Sequence, residues 1–118
     1  VKWTIVIYES RAGKSPFAEW LSDLRDIKAR AIIRARLNRI ELGNFGDCKG
    51  VGGGVFELRI IFGPGYRVYF GKQGEFLVVL LCGGDKSTQS RDITKAKLLW
   101  EEHKNANKKL SRRTAETT

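Results

Sequence analysis

From Val55 to Cys82 the chain reads as strands of period two, cut at short intervals by glycine-rich turns, and that pattern points to antiparallel neighbours in one sheet. Phe56, Leu58, Ile60 and Phe62 alternate with Glu57, Arg59 and Ile61, and Gly63-Pro64-Gly65 then turns the chain into Tyr66–Phe70. Gly71-Lys72-Gln73-Gly74 turns it again into Phe76–Cys82, apolar at every position and so a strand buried on both faces. Ahead of this block, Trp3–Tyr8 is rich in β-branched and aromatic residues and forms a further strand. Ser15 caps a short helix with Pro16 at its first position, and Phe17, Trp20, Leu21 and Leu24 follow at helical spacing. A second helix extends from about Asp26 to Leu42, with Ile33, Leu37 and Ile40 inward and Gly43-Asn44 as its stop. Gly83-Gly84-Asp85-Lys86 reads as a loop. Thr88 or Ser90 then caps a last helix that carries Ile93, Ala96, Leu99 and Trp100 and fades beyond His103. The element order predicts an α+β domain: an antiparallel sheet, two N-terminal helices packed on one face, and a C-terminal helix.

At 118 residues there is room for a single core, placed at residues 1–103. Residues 104–118 form a basic tail with few apolar side chains, expected to be flexible. No apolar run approaches the ~20 residues of a membrane span, and no signal-peptide layout opens the chain, so a cytoplasmic protein is expected. Against 22 Lys and Arg stand 13 Asp and Glu, a net charge of +9 that favours a polyanionic partner. The only cysteines, Cys48 and Cys82, read as reduced packing residues. With no second pair to complete a zinc site, neither a metal nor a cofactor is expected.

The first hairpin places charge. With Phe62 and Tyr66 flanking the turn, Ile61 pairs with Arg67, Ile60 with Val68, Arg59 with Tyr69 and Leu58 with Phe70. Leu58, Ile60, Phe62, Tyr66, Val68 and Phe70 then share a core face, and Glu57, Arg59, Arg67 and Tyr69 fall together on the other. Two guanidiniums so close repel unless an anion lies between them, and their forks match phosphate oxygens. A solvated face with Glu57 neutralising one arginine is the alternative. Lys86, in the loop after the central strand, can swing over the same face. Arg25, Lys28, Arg30, Arg34, Arg36 and Arg39 line the second helix as a solvated stripe or an RNA-backbone track, with Arg30, Arg34 and Lys49 as the candidate RNA contacts. Gly52-Gly53-Gly54 lacks the following Lys-Ser/Thr of a P-loop and reads as a bend or bulge. His103 reads as a surface residue, and Trp3, Trp20 and Trp100 as core.

Ser15-Pro16-Phe17-Ala18-Glu19-Trp20-Leu21, Glu57-Leu58-Arg59, Gly63-Pro64-Gly65-Tyr66-Arg67-Val68-Tyr69-Phe70 and Gly83-Gly84-Asp85-Lys86-Ser87-Thr88-Gln89 resemble, in order, the HigB-like addiction module killer group of the RelE/ParE toxin superfamily. The resemblance covers roughly residues 3–102. It implies a RelE-like fold and the toxin of a type II toxin–antitoxin pair. RelE-type members cut mRNA in the ribosomal A site, and ParE-type members poison DNA gyrase. By this resemblance Arg59 and Arg67 bind phosphate and Lys86 supplies a further functional cation. Metal-independent cleavage would use the 2′-OH of the mRNA, with Tyr69 stacking a base or donating a proton. The implied partners are mRNA on the ribosome and a cognate antitoxin, commonly a helix-turn-helix DNA-binding protein. Many cleaving relatives keep a Tyr or His near the C-terminus; here no Tyr follows Tyr69.

Overall fold

Ser15 and Asp26 set the starts of the two N-terminal helices. Ser15 Oγ accepts from the Ala18 amide at 3.3 Å, and Asp26 Oδ1 from the amides of Lys28 and Ala29 at 3.0 and 3.1 Å. In chain order the elements are β1 (Thr4–Ile7), α1 (Pro16–Asp23), α2 (Ile27–Glu41), β2 (Cys48–Gly52), β3 (Val55–Ile60), β4 (Tyr66–Gln73), β5 (Leu77–Asp85) and α3 (Gln89–Thr117). A 3-10 turn, Lys86–Thr88, joins β5 to α3. The computed structural model describes the backbone of residues 2–117 and the side chains of residues 2–108.

The five strands form one sheet in the order β1-β5-β4-β3-β2. The meander from β2 to β5 is antiparallel, as the glycine turns predict. β1, however, lies parallel to β5, with Thr4 opposite Leu77 and Ile7 opposite Leu80. The sheet is therefore mixed, which corrects the expectation of an antiparallel one. Everything between β1 and β5 serves as one long crossover, and parallel neighbours need such a connection.

Both faces of the sheet are covered. On one, Phe17 of α1 and Ala29, Ile33 and Ile40 of α2 pack on Leu58, Ile60, Tyr66, Val68, Phe70, Val78 and Leu80. On the other, Ala96 and Trp100 of α3 pack on Val55, Tyr69, Val79, Leu81 and Cys82, together with Tyr8. β5 thus feeds alternate side chains into two cores, which is why its sequence is apolar throughout. Cys48 belongs to the first core and Cys82 to the second, so the sheet separates two free thiols. Burial pushes the Cys82 thiol up to about 12, leaving it protonated and unreactive.

Gly83 and Gly84 are not loop residues. β5 runs through them to Asp85, and glycine is required there because a Cβ at Gly83 would collide with the Trp20 ring and one at Gly84 with the Asp92 carboxylate. The glycines let α1 and α3 approach the strand closely. Gly71 admits Trp100 in the same way. Gly53 and Gly54, at φ of 63° and 81°, make the turn between β2 and β3, and Gly52, at 95°, ends β2 beside a register shift at Gly50/Gly52. α3 does not fade at His103; its helix continues to Thr117. The flexibility expected of residues 104–118 falls mainly on positions whose side chains lie outside those described.

Replacing Gly83 by Ala is expected to destabilise the protein by ~1–3 kcal/mol in urea unfolding, because the Trp20 ring must yield. Pairing it with Trp20→Leu should recover part of that loss. An unchanged midpoint for Gly83→Ala would show that the ring packs elsewhere.

Candidate anion site at the end of the sheet

The β3–β4 hairpin keeps the predicted faces with a different register. Arg59 lies opposite Arg67, Glu57 opposite Tyr69 and Ile60 opposite Tyr66. The pairing is displaced by two residues from the sequence expectation, since Phe62 leaves the ladder and Ile61–Gly65 forms the loop. Gly63 and Gly65 there hold φ of 55° and 81°. A shift of two preserves the face of every side chain.

What differs most is the cover over that face. α3 lies on it, so Glu57 and Tyr69 have no exposed surface and Arg67 is 7% exposed. Tyr69 Oη donates to Glu57 Oε2 at 3.0 Å, and Gln89 Nε2, from the first turn of α3, donates to the same oxygen at 2.9 Å. Arg67 Nε lies 3.8 Å from that oxygen and makes no hydrogen bond. Glu57 Oε1 is likewise buried without a hydrogen bond, and Lys49 Nζ stands 3.9 Å away. Burial, and then the Glu57 carboxylate, drive the Tyr69 phenol far above its ordinary value, so it remains a donor to Glu57. A phenol so enclosed neither stacks on a base nor reaches a phosphate. Where Tyr69 was expected on an exposed site, the structure makes it an internal donor to Glu57.

The Arg67 guanidinium stays largely buried, and its Nη1 donates to the Gly65 carbonyl at 2.7 Å. Lys86 arrives from the other side. Its 3-10 turn is capped by Asp85, whose Oδ1 accepts from the Ser87 amide at 2.9 Å. The space where Gly65 lacks a Cβ lies 3.3 Å from Arg67 Nη1 and 3.7 Å from Lys86 Cβ. Gly65 therefore lies between the Arg67 guanidinium and the base of the Lys86 side chain. A cleft of about 350 Å³, lined by Lys86 through Arg91, opens at the Lys86 turn. Arg59 is exposed across the hairpin and engaged in two hydrogen bonds, from Nε and Nη2 to the Asp47 carboxylate at 3.1 and 3.2 Å. Its own carbonyl accepts from Arg36 Nη1 at 2.8 Å.

The remaining expected RNA contacts divide between the layers. Lys49 is exposed on the Glu57 side of β2. Arg30 and Arg34 belong to α2, on the opposite face of the sheet from Tyr69 and α3. They do not share a surface with Arg67 and Lys86. His103 is half-buried at the surface, stacked on Trp100 at 5.5 Å with Nε2 2.8 Å from Gln73 Oε1. Burial lowers its basicity. Asp47 and Gln89 were not singled out from the sequence; only Gln89 stood within a block that carried a resemblance. Among the described residues no group of three or more His, Cys, Asp or Glu could hold a metal ion.

No protein-family model matches the chain. Over 86 residues it is 58% identical to an uncharacterized protein of Haemophilus influenzae, an overlap spanning 73% of this chain and 87% of that protein. The chain belongs to the same family as that protein.

The buried cluster separates a positioning tyrosine from a catalytic one. Tyr69→Phe should cost ~2 kcal/mol of stability, because a charged acceptor loses a buried donor. Any activity, measured well below the melting temperature, should stay within about twofold of wild type. A hundredfold loss in a folded Tyr69→Phe protein would return Tyr69 to the chemistry.

Proposed function

We propose that this chain is the toxin of a type II toxin–antitoxin pair, a HigB-like member of the RelE/ParE superfamily with a RelE-like fold, acting in the cytoplasm as a metal-independent endoribonuclease on ribosome-bound mRNA. The observation that carries the reading is the convergence of Arg67 and Lys86 on the Gly65 loop, with Arg59 directly across the hairpin. A phosphate there meets two cations from different elements, one of them held by a buried carboxylate. The net charge of +9 and the order of sequence blocks that resemble the family point the same way.

In the reaction the 2′-OH of the mRNA attacks the adjacent phosphorus. The 2′-OH gives its proton to water, and the new O–P bond displaces the 5′-oxygen of the next nucleotide. That oxygen takes a proton from water, leaving a cyclic phosphate and a 5′-OH. Negative charge grows on the phosphorane oxygens, and fixed cations stabilise it without reorganising. Arg67 suits this task because Gly65 and Glu57 hold its guanidinium. Lys86 is exposed and adds charge at the phosphate or beside the 2′-OH. Arg59 joins them on release from Asp47. Lys49 contacts RNA on the same face, while Arg30 and Arg34 engage RNA on the far side of the sheet. A cognate antitoxin, commonly a helix-turn-helix protein, holds the toxin inactive.

Mapping new 5′ ends after purified protein meets ribosomes and mRNA tests the proposal. Lys86→Ala, at an exposed turn, should keep the fold and lower cleavage by ~10²-fold or more. Cleavage that survives Lys86→Ala unchanged would remove that residue from the site. Intact mRNA together with blocked DNA supercoiling would replace the reading with the gyrase-directed one.

A further inference from the structure

The loop between β3 and β4 reads Ile61-Phe62-Gly63-Pro64-Gly65 and carries no polar side chain, although Ile61, Gly63 and Pro64 are exposed. Loops that only connect strands are ordinarily polar. Phe62 is taken up by the first core, whereas Ile61 is 90% exposed, the highest value for a large apolar side chain among the described residues. A lone exposed isoleucine is commonplace. This one stands on a fixed loop beside the candidate anion site.

Several contacts fix the loop. The Gly65 amide donates to the Phe62 carbonyl at 3.1 Å, and the Phe62 amide to the Ile60 carbonyl at 3.0 Å. Arg67 holds the Gly65 carbonyl, and Pro64 restricts its own φ. With Ile60 and Phe62 both turned to the first core, alternation puts Ile61 on the side of Arg59, about 7 Å farther along the chain. Lys28 Nζ lies 5.8 Å from the Phe62 ring centroid, and Lys86 approaches Gly65. Both lysines are exposed and pair with no carboxylate among the described residues. The neighbouring carboxylates are engaged within the molecule: Asp26 by the amides of Lys28 and Ala29, Asp47 by Arg59, and Asp85 by Ser87.

We propose that Ile61 packs on the base of the nucleotide whose phosphate is held beside the Gly65 loop, so that the loop tip is the base-contacting part of the RNA site. This contact rests on the RNA reading of that site. A base stands off its own phosphate by a distance comparable with that between Arg59 and Ile61. Isoleucine and proline are among the side chains that proteins press against or between bases. Because the loop is already fixed, presenting Ile61 costs little ordering on binding. Every base has an apolar face, so the contact carries little sequence preference. An anionic membrane fits less well, since one isoleucine and one proline bury too little apolar surface to anchor a protein. A second copy fits less well too, because the tip covers far less than the roughly 1,600 Å² of a stable dimer.

The experiment measures binding of the full chain to a short single-stranded oligonucleotide, 2′-deoxy throughout so that it cannot be cut, over a range of salt. Ile61→Ala, at an exposed position, should keep the fold and bind about fivefold more weakly at every salt concentration. The slope of log affinity against log salt should not change, because no phosphate contact is lost. Ile61→Trp should bind about fivefold more tightly with that same slope, since an indole stacks on a base. On an abasic strand of equal length, wild type and Ile61→Ala should bind equally. Equal binding of the two to the natural strand would overturn the inference, and so would an undiminished loss on the abasic strand. Wild-type binding to anionic lipid vesicles that exceeds binding to the strand and vanishes in Ile61→Ala would also overturn it. Two further results separate the tip contact from the reading it rests on. A slope that falls with Lys86→Ala while Ile61→Ala changes nothing overturns the tip contact alone. Base-dependent binding through Ile61, with ribosome-bound mRNA left uncut, overturns the cleavage reading alone.

Discussion

A carboxylate without exposed surface has to be answered by donors, and Glu57 sets the terms for everything near it. Tyr69 answers from the neighbouring strand and Gln89 from α3, both on one oxygen. These bonds connect the sheet to the helix that covers it. Arg67 is drawn to the same oxygen on one side and to the Gly65 carbonyl on the other. Its guanidinium is thereby fixed, largely buried, beside the loop that Lys86 also approaches. Removing Glu57 would leave an arginine largely buried without its counter-charge, which typically costs ~3–5 kcal/mol. The polar centre of the interface and the candidate anion site are consequently one structure.

The apolar architecture makes this placement possible. β5 is apolar on both sides because helices cover both faces, and glycines at 71 and 83 admit the rings of Trp100 and Trp20 against the strands. α3 can then lie close enough for Gln89 to reach Glu57. The same arrangement leaves β1 as an edge, paired on one side only, since α3 and α2 touch it near its ends. The chain's polar and exposed features thus follow from how tightly two helical layers are drawn onto one sheet.

Periodicity made the strands and their faces legible. Leu58 and Val68 face one way and Glu57 and Tyr69 the other, whichever even register the hairpin adopts. The register itself was not legible, because a Gly-Pro-Gly loop fits more than one length and both even registers keep Phe62 on the core face. Caps at Ser15 and Asp26 and the central strand were readable from local chemistry. β1 read as a strand, but its direction relative to β5 depends on a crossover with no sequence signature. The largest difference concerns Tyr69. A polar strand face reads as solvated or as a site, whereas here α3 covers it and turns a phenol into an internal donor. Arg67 and the base of Lys86 both approach Gly65, a proximity that no spacing along the chain encodes.

The claim that matters most is that Arg67 and Lys86 form a phosphate site organised by the buried carboxylate. Its most direct measurement is the salt dependence of binding to single-stranded RNA, for wild type and for Lys86→Ala, from about 50 to about 300 mM salt. A lost phosphate contact should lower the slope of log affinity against log salt by ~0.7 for Lys86→Ala, with the same substitution at Lys14, outside the site, leaving it unaltered. Equal slopes for wild type and Lys86→Ala would contradict the account.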